Sequence, residues 1–185
     1  MLGCPSSQPY EVKLSMTKDQ RISRLVAQLE GETPGEASTD ISHHPFYRGF
    51  FRCWNEQRYY EAHDVLEHLW LKTKNEDANY FKGLIQAAGA FVHLQKQFQH
   101  PSHAKHGRRL QPAVRLFRLA QGNLAPFVPV RHSFDVAGFR DLLGEYAERI
   151  LAFEYRTNPW SPSNAPKLQL ISERAIQPAS GRGVR

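Results

Sequence analysis

Between Tyr59 and Trp70 the chain reads YYEAHDVLEHLW, and five of the eight residues from Glu61 to His68 are acids or histidines. Imidazole and carboxylate both bind divalent transition metals, and a carboxylate can also orient a histidine acting as general base. A helical wheel decides which of them can work together. At about 100° per residue, Tyr59, Ala62, Leu66, Leu69, Trp70 and Thr73 form one arc that must face a core. His63 falls just inside the edge of that arc, beside Trp70, and Glu67 lies at its border one turn on. Glu61, Asp64, His68 and Lys72 fall on the opposite side. His63 and Glu67, four residues apart, can touch. They read either as a hydrogen-bonded pair satisfying two half-buried polar groups or as half of a metal site or an acid–base pair.

A second string completes the argument. Gly83–Leu94 (GLIQAAGAFVHL) contains no Asp, Glu, Lys or Arg. A surface helix shows a charged stripe, so this one is expected to be enclosed by neighbours in a bundle. Gly83, Ala87 and Ala90 would let another helix approach closely. Phe81, Leu84, Ile85, Ala88, Phe91 and Val92 make its apolar face, and Gln86 and His93 lie together on the other side. Polar groups enclosed in this way need partners. The reading is therefore a cluster of His63, Glu67, Gln86 and His93 between two antiparallel helices, with Trp70 at its edge. Its metal version is a divalent cation on His63, Glu67 and His93.

Other patterns point elsewhere. Two inward histidines flanking a glutamate, as in zinc proteases, are not present, because His63 and His68 face different sides. Glu-x-x-His units, which a di-iron bundle requires, are missing. His100, His103 and His106 surround Pro101 and read as a solvated turn. Lys105, Arg108, Arg109, Arg115 and Arg118 make a basic helix. A solvated outer face is the simpler reading, with phosphate contact in a nucleic acid as the alternative.

The elements that must hold these residues follow from periodicity and breakers. Ile22, Leu25, Val26 and Leu29 recur at helical spacing behind Thr17, a suitable N-cap. Gly31–Asp40 has linker composition. Pro45–Gln57, Tyr59–Lys74 and Asp77–Gln99 read as helices. Another, capped by Ser102, would run to about Gln121, kinked or split by Pro112. The last would run from about Asp135 to Tyr155. The expectation is an all-α fold, a compact bundle of four to six helices with flexible N- and C-terminal tails. Residues 1–40 form the N-terminal segment with one helix and a linker, 41–155 the helical domain, and 156–185 a basic, Pro-containing tail.

With 185 residues, 41% of them hydrophobic, the chain can bury one core. No apolar run is long enough to cross a bilayer, and no basic-then-apolar start marks a signal peptide. Two cysteines, Cys4 and Cys53, make no disulfide framework. A soluble cytoplasmic protein is expected, with no membrane partner; a homo-oligomer is admitted.

The stretches Phe46-Tyr47-Arg48-Gly49, Glu61-Ala62-His63-Asp64-Val65-Leu66-Glu67-His68-Leu69-Trp70 and Phe81-Lys82-Gly83-Leu84-Ile85-Gln86-Ala87-Ala88, with His93, resemble the family catalogued as domain of unknown function 309. The resemblance runs from Phe46 to about Leu119. It implies a compact helical bundle and carries no established activity, so no catalytic residue transfers. It marks His63, Asp64, Glu67, Trp70, Gly83 and Gln86 as this chain's matches to the family motif. Asp64 is then a puzzle, since the wheel turns it away from the core. Two functional classes remain: a helical binding or scaffold module built on the polar cluster, or a small metal-assisted enzyme using His63 and Glu67. Nucleic-acid binding through the basic helix and tail is the third reading.

Overall fold

The computed structural model describes residues 17–31 and 40–171. The expected mobile start, the linker from 32 to 39, Cys4 and the chain beyond 171 lie outside the described residues. The elements are α1 (Lys18–Gly31), a 3-10 turn (Ile41–His43), α2 (Pro45–Asn55), α3 (Tyr59–Lys72), α4 (Asp77–Gln99) and α5 (Leu110–Leu124). A second 3-10 turn (Ala125–Phe127), strands β1 (Val130–Arg131) and β2 (Phe134–Asp135), and α6 (Val136–Ala152) follow. The fold is all-α apart from this small hairpin, whose Phe134 joins the core.

Local chemistry explains the helix starts. The Gln20 N–H donates to Thr17 Oγ1 at 3.3 Å, and the Thr17 N–H donates to Gln20 Oε1 at 2.9 Å. This reciprocal cap satisfies two of the donors a helix start leaves free. Pro45 occupies the first turn of α2, where its missing N–H costs nothing, and His44 Nδ1 accepts from the Phe46 N–H.

Helices α2 to α6 pack each on the next, as short connections require. The core is aromatic. Trp54 meets Phe91, Tyr59 and Phe139 edge-on at ring separations of 4.8, 5.2 and 5.6 Å. Gly83 sets the approach of α5 to α4: a Cβ there would lie 2.7 Å from Leu124 Cγ and 3.3 Å from the Ala120 carbonyl. The small-residue face expected on α4 is thus used for packing.

Four details differ from expectation. First, α5 starts at Leu110 rather than Ser102, so Pro112 falls in its first turn and produces no kink. Second, α3 is buried on two flanks, against α2 as well as α4. Gly49 lets Val65 sink completely, while Trp70 is only partly covered. Third, Val130–Asp135 forms a two-stranded hairpin that alternation did not announce. His132 and Ser133 take φ of 48° and 57°, the left-handed pair that tight hairpins use.

Fourth, the chain from Arg156 to Ile171 is not a free tail. Trp160 is 2% exposed and donates Nε1–H to the Tyr59 hydroxyl at 3.2 Å. Trp54 Nε1 donates to the Pro166 carbonyl, Asn55 exchanges hydrogen bonds with Leu168, and Leu170 bridges to Phe134. The prolines exclude helix and strand but permit an extended strap, which two apolar anchors, Trp160 and Leu168, hold down.

Candidate functional site

The residues from Glu61 to His68 divide differently in space than on the wheel. His63 Nδ1 lies 2.9 Å from Asp64 Oδ1. Neighbours in a helix do not normally face each other, but a short carboxylate can fold back along the helix to its neighbour's ring. A carboxylate only accepts, so Nδ1 carries the hydrogen, and in the neutral ring it is Nε2 that keeps the lone pair. Tyr60 stacks on the ring at 6.3 Å, with planes 21° apart, in the place where Trp70 was expected. The ring edge points to α4: its Cδ2 lies 4.0 Å from where a Gly89 Cβ would be.

Glu67 completes the group. One ligand atom each from His63, Asp64 and Glu67 lie within 4.8 Å of one another, and all three residues are half-buried. Among the described residues this is the one such cluster of three. Asp64 therefore occupies the place expected for His93: it holds His63.

Gln86 and His93 do not join. Gln86 Oε1 accepts from Asn123 Nδ2 of α5 at 2.7 Å. His93 Nδ1 lies 3.3 Å from Arg109 Nη1. The reason is register. In the antiparallel pair His63 stands level with Gly89, so His93 is carried about one 5.4 Å turn past it. Gln86 meets α5 and His93 the loop before it, neither of them α3. Gly83 serves packing alone, and Trp70 rests against the core without a polar partner in the group.

Sequence reasoning missed a second polar knot. Asp77 Oδ1 accepts from Arg131 Nε (2.9 Å) and Nη2 (2.8 Å) and from His132 Nε2 (2.9 Å). The Asp77 side chain is buried. Above it the Tyr47 and Tyr80 hydroxyls meet at 2.6 Å, and burial pushes both phenols well up from their ordinary range. Arg131 and His132 lie more than fifty positions from Asp77, and Tyr47 lies 33 from Tyr80, so no local pattern pointed to them. The knot fastens the hairpin to the start of α4, where an acid also suits the helix dipole.

Fold and site together define a class: a helical bundle with a half-buried His–Asp–Glu group on the outer edge of its α3–α4 hairpin. Residues 47–104, from α2 to the loop after α4, match the model of the family described as Domain of unknown function (DUF309), as the motifs led us to expect. That description attaches no activity to the family. No curated protein and no solved structure matches the chain.

Proposed function

We propose that the protein is a small helical binding module whose ligand is a divalent transition metal, held by His63 and Glu67 with Asp64 orienting the imidazole. The observation that supports this is the convergence of one imidazole and two carboxylates within 4.8 Å on one helix, one carboxylate tied to the imidazole Nδ1. Metal-binding histidines commonly donate their other nitrogen in this way. Bond lengths of about 2.0–2.2 Å require ligand atoms about 3 Å apart, so Glu67 swings inward on binding. Few protein ligands leave coordination positions for water or a small molecule, which is the route from binding module to metal-assisted enzyme. The free, buried thiol of Cys53 fits the reducing cytoplasm that belongs to this reading.

The test is a zinc titration of the purified chain, with elemental analysis beside it. One equivalent should bind, and His63→Ala combined with Glu67→Gln should abolish it. Unchanged zinc uptake in the double variant would remove the proposal.

A further inference from the structure

From Ala78 to Phe134 the chain contains no Asp or Glu but eight Lys or Arg. The whole chain carries only +6, so everything outside this stretch is net negative. Six of the eight, Lys96, Lys105, Arg108, Arg109, Arg115 and Arg118, lie on the end of α4, the loop after it and α5.

At the centre lies Arg109. Its guanidinium donates Nη1–H to His93 Nδ1 at 3.3 Å and Nη2–H to His106 Nδ1 at 3.0 Å. Its Nε is buried and has no hydrogen-bond partner among the described residues. Two neutral imidazoles accept its hydrogens, but none of the ion pairs among the described residues includes it. A half-buried guanidinium without a counter-ion is costly, and the arrangement gains when an anion arrives. Burial, then the charges of Arg109 and Lys96, hold His93 down at about 4.

His93 is also one wall of a cleft of about 780 Å³ along α5. Pro112, Leu116 and Leu119 give it an apolar floor, and Arg115 and Arg118 a basic rim; no acid lines it. Arg109 stands behind the His93 wall rather than in the lining, its Nη1 3.3 Å from His93 Nδ1. We propose that this cleft is a second site, which binds a small organic oxyanion, its charged head at the His93 wall, in the field of Arg109, and its apolar body along Pro112, Leu116 and Leu119. It shares no side chain with the His63 group, so either proposal can fail alone.

Calorimetric titration of the full chain with phenyl phosphate and with inorganic phosphate tests it. Phenyl phosphate should bind saturably and more tightly than phosphate, which lacks the apolar body. Arg109→Gln should weaken phenyl phosphate about tenfold or more, the loss of one charge behind the wall, while Arg109→Lys loses less. In the unaltered protein, saturation should also move the His93 titration, followed by proton NMR, upward from about 4. That readout keeps the test open if Arg109→Gln does not fold. Phenyl phosphate that fails to saturate, binds Arg109→Gln equally well or leaves His93 unmoved would overturn the proposal. So would binding of a single-stranded oligonucleotide without binding of phenyl phosphate, which assigns the face to a polyanion.

Discussion

An imidazole with one nitrogen tied to a carboxylate has only the other to offer, and in a fixed direction. That is the condition of His63. Asp64 acts through the ring, so its loss should alter affinity more than fold. Asp64→Asn is expected to lower zinc affinity about 10- to 100-fold, the usual effect of removing an outer partner, with an unchanged melting temperature. An equal fall in both would make Asp64 merely structural. At this scale the sequence was partly legible. Spacing found His63 and Glu67, because both depend on one helix. It could not find the Asp64 contact, which arises from side-chain rotation rather than helix phase. Nor could it find Asn123 as the partner of Gln86, because that pair depends on the register between two helices.

Helix against helix, the fold depends on small residues at a few crossing points. Gly83 is the tightest, with α5 seated where a side chain would be. Gly83→Ala should cost about 1–3 kcal/mol through overpacking, despite the gain in helix propensity; chemical denaturation would measure it. A neutral or stabilised variant would show that α5 can shift at no cost. The strap is the other exposed dependence. Trp160→Ala should destabilise by about 3–5 kcal/mol and release Tyr59 from its hydrogen bond. Near-UV circular dichroism would follow that release, and an intact signal with wild-type stability would contradict it. Helices α3 and α4 were legible because they are long and strongly patterned. The start of α5 was not, since a proline reads as a break until its place in the first turn is known. The strap was not because its anchors are two apolar residues amid prolines, with no period to announce them.

Over the whole molecule, charge is segregated rather than spread. The stretch from Ala78 to Phe134 is wholly basic, while the helices before it and α6 carry the acids. Burial, with the charges of Arg109 and Lys96 added to it, gives this region a pH signature. His93 has a folded value near 4 against an ordinary value of 6.5. Between these two, the unfolded chain binds the proton and the folded one does not, so stability falls as pH drops from 6.5 toward 4. His93→Gln should flatten that part of the stability–pH curve; a slope the same as wild type would place the dependence elsewhere. The all-α architecture was plain from the sequence. The segregation was there to be counted, but reading the basic residues as one helix and a tail hid it.

The strap also orders events in time. Trp54 sits in α2, yet the carbonyl that accepts its indole hydrogen belongs to Pro166, and Tyr59 waits for Trp160. A ribosome makes the helices long before it makes their cover. The bundle therefore emerges with an aromatic face uncovered until the strap has been made. Products that stop short of Trp160 should remain sticky and short-lived, so the strap separates the copies that reach it from those that do not.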